Sequence, residues 1–301
     1  MIRKDIIDLF RVPAGKKVKL KDHNPGWKQS EEFKDFGKDA VKERAKEVLE
    51  QNLTHLAEAQ DRLYADDRYA VLIVLQAMDA AGKDGTIRHV MSGLNPQGCQ
   101  VYSFQGPSAE ERDHDYLWRS MKALPERGRI GIHNRSYYEE VLVTRVHPHI
   151  LESQQLPADR KRNGVWKERY EQINNFENYL VDNGVIVLKF FLNVSRKEQK
   201  RRFMERLDRP EKNWKFSVND AKERAFWGDY MKAYEEVLSH TSTKQAPWYV
   251  IPADNKWFAR LAVGTIIYTT LEGLDLQYPK VGKEKKQELL AARALLEAEK
   301  D

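Results

Sequence analysis

Apolar positions in the first 45 residues follow no steady period, and the stretch GKKVKLKDHNPGWK is rich in lysine. Residues 1–45 are therefore expected to form an N-terminal arm lying over a surface. From about Lys42 to Leu63 the pattern changes, with Leu49, Leu53 and Leu56 recurring at helical spacing. Beyond Ala70, short apolar runs alternate with amphipathic stretches. AVLIVLQ, VYSF, RIGIH, IVLKFFLNV and WYVIPA predict strands. Between and after them TIRHVMSGL, DYLWRSMKAL, YYEEVLVTRV, a long stretch from about Trp166 to Val181, SRKEQKRRFMERL, NDAKERAFWGDYMKAYEEVL and KWFARLAVGTIIYTTLEGL predict helices. IVLKFFLNV is apolar almost throughout, the pattern of a strand covered on both faces. Ser217, and Asp220 with Glu223, are helix-start signals. Repeated strand-helix-strand units predict an α/β fold with a parallel sheet sandwiched by helices, spanning residues 46–278. The tail, residues 279–301, is a helix former with a leucine stripe. A charged helix on its own surface and a helix packed on another subunit both fit it.

A chain of 301 residues is long enough to bury a substantial core without disulfides. Cys99 is the single cysteine, so no intrachain bridge is possible. With neither a membrane-length apolar run nor a secretory signal at MIRKDIIDLF, a cytoplasmic setting without a membrane partner is expected. Charge adds little in total, since 51 Lys plus Arg against 46 Asp plus Glu leave +5. Its distribution says more. Ser195 to Lys215 holds nine Lys or Arg against four acids, a surplus that suits a polyanion, although such a run taken alone is a solvated helix face.

The turn after the first predicted strand carries the chemistry. Ala77-Met-Asp-Ala-Ala-Gly82-Lys83-Asp84-Gly85-Thr86 keeps the second glycine and the lysine of the pattern G-x-x-x-x-G-K-[ST]. Ala77 replaces the first glycine and Asp84 the hydroxyl residue that ordinarily holds Mg²⁺. A loop that follows a strand and opens a helix aims backbone N–H groups and the positive end of the helix dipole at an anion. Ala81, Gly82, Lys83, Asp84, Gly85 and Thr86 are accordingly expected to bind phosphate. Asp79 offers the missing metal ligand, because a carboxylate oxygen suits Mg²⁺, and the bound ion reverses the repulsion between carboxylate and phosphate. Asp84 also fits an ordinary role in the first helical turn, where the dipole favours an acid.

A second constellation, RIGIHNRSYYEEV, follows the third strand, at the end of the sheet where α/β proteins place ligand-facing loops. Arg135 has the multidentate fork that fits phosphate oxygens, and Asn134 lies beside it. His133 is read as packed. Glu139 and Glu140 fit either a carboxylate contact or a solvated helix face, and of these Glu139, with Asn134, is expected to contact a nucleotide or its phosphates. Trp227, Tyr230 and Tyr234 recur at helical spacing and are read as core, and Asp254 as a helix cap.

LQAMDAAGKDGTIRHVMSGLNPQG, FQGPSAEERDHDYLWR, GRIGIHNRSYYEEVLVTRVHP, EQKRRFMERLDRPEKNWKFS and TSTKQAPWYVIPADNKWFARLAV occur in this order. Together they resemble the polyphosphate kinase 2 family, and more closely its class III, AMP-phosphorylating branch. The resemblance spans about Leu49 to Leu271. It implies a P-loop kinase-like three-layer α/β/α sandwich with a helical lid, and Mg²⁺-dependent transfer of phosphate from inorganic polyphosphate to AMP and ADP, giving ADP and ATP. By the same resemblance Asp79 is the metal-binding aspartate, Lys83 the phosphate-binding lysine and Arg135 the arginine of the second motif. Asn134 stands where other classes carry a Walker B aspartate, as is typical of class III. The basic lid, about residues 200–230, then acquires a role, with Arg202, Arg206 and Lys212 as expected polyphosphate contacts. Family members form dimers or tetramers, so a homo-oligomer is expected. An ATP-dependent P-loop nucleotide kinase would use the same loop with another donor. A noncatalytic polyanion binder fits less well, since no nucleic-acid motif is found and aromatic residues are not interleaved with the basic run.

Overall fold

A computed structural model describes residues 4–27, 38–161 and 164–299, without the side chains of residues 4–6, 38–46 and 49. The side chain of Leu49 and the stretch 28–37 of the expected arm thus lie outside the described residues. Five parallel strands, β1 (Ala70–Gln76), β2 (Cys99–Ser103), β3 (Ile130–Asn134), β4 (Val185–Asn193) and β5 (Trp248–Pro252), form one sheet in the order β2-β3-β1-β4-β5. β1 is buried at every position, and β4 at every position from Val187 onward. β2 ends the sheet with its last three residues exposed.

The strands alternate with α1 (Lys4–Phe10), α2 (Lys38–Asp66), α3 (Lys83–Val90), α4 (Ala109–Arg112), α5 (Trp118–Met121), α6 (Glu139–Val146), α7 (Pro148–Ser153), α8 (Val165–Asp182), α9 (Arg196–Asp208), α10 (Pro210–Asn213), α11 (Val218–Glu223), α12 (Trp227–Thr241), α13 (Lys256–Glu272) and α14 (Lys283–Ala298). α13 packs on α2 and α3, whereas α6, α8 and α12 pack on one another. The α/β sandwich expected from the alternation is therefore present. Strand order reverses around β1, and in open α/β sheets that is where a crevice opens at the carboxyl edge.

Three local expectations differ from the structure. Residues 7–20 do more than lie over a surface: Ile7, Phe10, Val12, Val18 and Leu20 are buried, and Val12 N donates to Trp248 O at 2.8 Å. Phe10 and Trp27 pack edge-on against Phe258, which ties this segment to α13. The stretch DYLWRSMKAL is helical only over α5, ending shortly before Pro125, whose ring lies against Gly131 of β3. The helix expected over NDAKERAFWGDYMKAYEEVL is divided into α11, a 3-10 turn over Arg224–Phe226, and α12. Ser217 caps α11 by accepting from Asn219 N. At the break the Glu223 carboxylate is held by His147 of the α6–α7 junction and by Tyr230 of α12.

Candidate active site

The loop from Ala77 to Gly82 leaves the carboxyl end of β1 and turns into α3. Ala80 and Gly82 both take left-handed backbone conformations, with φ of +60° and +113°. A glycine meets that requirement freely and an alanine only under constraint. The constraint comes from α9. Gln199 Nε2 donates to Asp79 O at 2.9 Å, and Arg202 Nη1 donates to Ala80 O at 3.1 Å and Ala81 O at 2.6 Å. Three successive carbonyls are thereby turned toward α9. The first N–H groups of α3 have no partner within the helix, which makes its N-terminus a place for an anion.

Lys83, first residue of α3, reaches back to donate to Ala77 O at 3.0 Å. Burial pulls its pKa down, opposed by the nearby Asp79 carboxylate. Thr86 is buried, with its N–H on Gly82 O at 2.9 Å. A Cβ added at Gly85 would lie 3.5 Å from Arg260 Nη2, so the first turn of α3 runs close beneath that guanidinium. Asp84 is exposed and accepts from Asn134 Nδ2 at 2.9 Å, joining the loop helix to the end of β3. Asn134 Oδ1 is buried and unbonded.

Arg135 faces the loop from the other side. Its Nη2 donates to Asp79 Oδ1 at 3.1 Å, and both side chains remain partly exposed. Its own backbone is left-handed, φ +65°, and its N–H is fixed on Leu75 O at 3.1 Å. Glu139 lies one turn on. Burial raises its pKa, opposed by Arg135 and Lys83. With the Gln76 amide oriented to satisfy its neighbours, Gln76 donates to Glu139 Oε1 at 2.8 Å. Glu140 points elsewhere, into a buried pair with Arg169 at 3.3 Å. Asp79, Arg135 and Glu139 open into a cavity of about 320 Å³ whose far wall is Leu142, His147, Glu223 and Tyr230.

The structure thus brings Asp79, Ala81, Gly82, Lys83, Asp84, Gly85, Thr86, Asn134, Arg135 and Glu139 to one edge of the sheet. The three expected polymer contacts fare differently. Arg202 is 4% exposed, and all five of its N–H groups have protein acceptors: Nε on Glu198, Nη1 on Ala80 O and Ala81 O, Nη2 on Ala253 O and Asp254 O. It is a scaffold for the loop in this structure, a correction to its reading as a polymer contact. Arg206 donates to Lys215 O and sits 3.7 Å from Asp220. Lys212 is paired with Glu205. By contrast Arg88, Lys256 and Arg260 have no ion pair among the described residues. Burial lowers the Arg260 pKa, and Arg88 and Arg202 lower it further, the signature of clustered cations.

Residues set aside on sequence grounds also reach this edge. Tyr230 and Tyr234 are largely buried, as a core stripe should be, yet they line the cavity beside Glu139. His133 is fully buried with Nε2 on Ala123 O at 3.0 Å, and burial pushes its pKa down to about 4. Asp254 caps neither neighbouring helix: the N-cap of α13 is Asn255 and that of α9 is Ser195, whose backbone N–H donates to Asp254 Oδ1 at 2.7 Å. Nothing in local spacing marked His147 or Arg260, and Glu223, read from spacing as a helix-start signal, ends α11 and lines the cavity instead; three different helices or their ends bring these residues to this edge.

A glycine-lysine loop on the central strand of a parallel sheet, with an arginine opposite and a cavity between, defines an enzyme of the phosphoryl-transfer class. A family profile described as Polyphosphate kinase 2 matches residues 39–279, and the chain belongs to that family. It is 53% identical over 256 residues to an ADP-polyphosphate phosphotransferase of Rhodopseudomonas palustris, covering 85% of this chain and 89% of the relative. It is 48% identical over 239 residues to an AMP/ADP-polyphosphate phosphotransferase of Meiothermus ruber, covering 79% and 85%. The fold is similar to the crystal structure of polyphosphate kinase 2 from Arthrobacter aurescens, with a TM-score of 0.81, 37% identity, and 95% and 96% of the two chains covered.

Proposed function

We propose that this protein transfers the terminal phosphate of inorganic polyphosphate to AMP and ADP. The observation that carries the reading is the position of Lys83, Asp79 and Arg135 between the cations Arg260 and Arg88, which have no ion pair among the described residues and of which Arg260 lies over the first turn of α3, and the cavity beside Glu139. A polymeric anion suits the first. A nucleotide, with a planar base and one charged end, suits the second, its phosphate meeting Arg135.

The chemistry needs no strong general base. A nucleotide phosphate has a second pKa of about 6, by analogy with phosphorylated side chains, and is mainly dianionic at neutral pH. One of its oxygens bonds to the terminal phosphorus as the bridging P–O bond breaks, leaving the polymer one unit shorter. The protein must align two mutually repelling anions and neutralise the charge between them. Lys83 and the N–H groups of α3 hold the donor end, and Arg135 orients the acceptor. Arg202 and Gln199 keep the loop carbonyls turned away from both.

Asp79 keeps a carboxylate oxygen clear of Arg135, and Mg²⁺ is commonly held by one or two carboxylates plus substrate phosphates, so the residues present fit this ion. No group of three or more His, Cys, Asp or Glu side chains is placed for a metal among the described residues. Bound there, Mg²⁺ would neutralise charge on the transferring phosphate. Among the described residues no helix is long and apolar enough to cross a membrane. The expected homo-oligomer is checked by light scattering of the purified protein.

The test is nucleotide chromatography after incubation with long-chain polyphosphate and Mg²⁺, with AMP and ADP as separate acceptors. Both are expected to be phosphorylated, in a reaction stopped by EDTA and abolished by Asp79→Asn. Because the R. palustris relative is named for ADP alone, turnover of ADP without AMP would restrict the acceptor. Products formed only with ATP as donor would replace the reading with an ordinary nucleotide kinase.

A further inference from the structure

A lysine in the middle of IVLKFFLNV is out of place in a strand covered on both faces. Lys189 is fully buried there and ion-paired to Glu177 of α8, itself fully buried. Lys189 also donates to Thr241 O at 2.6 Å, at the end of α12, and to Tyr138 Oη at 3.1 Å. The second oxygen of Glu177 accepts from Tyr137 Oη at 2.9 Å and Tyr138 Oη at 2.8 Å. Taking two charges from water into a protein interior is costly, and apolar residues of like volume often stabilise a fold as well or better. Stability alone is therefore a poor reason for this cluster.

Its location supplies a better one. Tyr137 and Tyr138 occupy the turn between Arg135 and Glu139. Arg135 holds the left-handed conformation that non-glycine residues rarely adopt, and such a residue persists only where its surroundings over-determine it. One restraint is the Arg135 N–H on Leu75 O, upstream. Another is the pair of tyrosine hydroxyls anchored downstream on one carboxylate oxygen, beside the Ser136 hydroxyl that accepts from Tyr138 N. Glu177 cannot relax away from them, because its other oxygen is held by Lys189, which is tied in turn to β4 and α12.

We propose that Glu177, locked by Lys189, is a positioning residue that sets Arg135 and Glu139 in place for phosphoryl transfer. The proposal rests on the role given to Arg135 above. Neither Glu177 nor Lys189 lines the cavity; both act through the turn.

The experiment is a double-mutant cycle in kcat and KM with the polyphosphate and nucleotide substrates, alongside thermal midpoints. Tyr137→Phe/Tyr138→Phe keeps both rings and cuts both ties. Glu177→Leu/Lys189→Met removes the ion pair at similar volume. Each is expected to lower kcat by about 10²-fold, the cost of a small misplacement of reacting groups, with KM changed less than about threefold. Tyr137→Phe alone removes a single hydroxyl, and a smaller fall in kcat at an unchanged thermal midpoint is expected. On an Arg135→Ala background the same changes should cost little more, because the group they position is gone. Wild-type kcat in the folded variants, or losses that multiply fully on Arg135→Ala, would overturn the proposal. An Arg135→Ala enzyme with undiminished kcat would instead remove the role of Arg135.

Discussion

Arg135 and Arg202 stand on opposite flanks of the same loop, and both were expected to meet anions. Arg135 leaves β3, bonds one carboxylate oxygen of Asp79 and keeps part of its fork open to the cavity. Arg202 leaves α9, lies 4% exposed, and has every N–H on Glu198 or on a backbone carbonyl. The residue type is identical and the distance from the loop comparable. What differs is the competition. Where a guanidinium meets unpaired carbonyls in a water-poor place it is consumed by them, and where it meets one partly exposed carboxylate it stays available. A basic residue near a phosphate loop is thus a ligand or a brace according to the acceptors around it.

The largest effect expected on either flank belongs to the residue between them. Lys83→Met should lower kcat/KM by about 10³-fold, in the upper range for loss of one transition-state donor, with the thermal midpoint nearly unchanged. The two arginines then separate. Arg202→Met should reduce stability by about 3–5 kcal/mol, because Glu198 and four carbonyls lose their partner together, and unfolding in urea reads this directly. Arg135→Ala should reduce kcat by about 10²-fold and leave the urea midpoint close to wild type. A stable, inactive Arg202→Met enzyme with a destabilised Arg135→Ala would reverse the comparison.

His133 tests burial without a charged partner. Its pKa is about 4 in the folded protein, pushed down from the ordinary 6.5 by burial. The unfolded chain therefore binds a proton over that window while the folded chain does not. The stability it contributes is complete above pH 6.5 and is lost as pH falls toward 4, amounting to about 3 kcal/mol. His133→Gln should flatten the fall in thermal midpoint between those pH values; an unchanged slope would show that other groups govern it. The smallest effect is expected at Lys212, partly exposed and paired with Glu205. Lys212→Ala should change stability by less than about 1 kcal/mol. If the basic lid follows the polymer, activity falls more with long polyphosphate than with short, and equal falls would remove Lys212 from the track.

Much of the loop was legible because its information is local. Gly82 and Lys83 follow a strand and open a helix, and Asp79 lies within the same turn, so spacing alone places them together. Arg135 was legible for the same reason, as the residue following β3. Arg202 was misread because composition counts charges without their acceptors, and Glu198, Glu205 and Asp220 pair with several cations of the same run. Lys189 was visible as an oddity in an apolar strand, but its partner Glu177 lies on α8 and its tyrosines beyond β3. No period or motif connects them.

By itself, then, the chain's order of residues determined the alternation of strands and helices, the anion-seeking turn after β1 and the family. Those depend on hydrogen bonding and apolar spacing among near neighbours. Only the tertiary structure decided which cations among the described residues stand without an ion pair, that Tyr137 and Tyr138 share the Glu177 carboxylate, and that His147 and Glu223 line one side of the cavity. Each of those is set by burial and by competition among partners from distant segments, and neither exists until the layers pack.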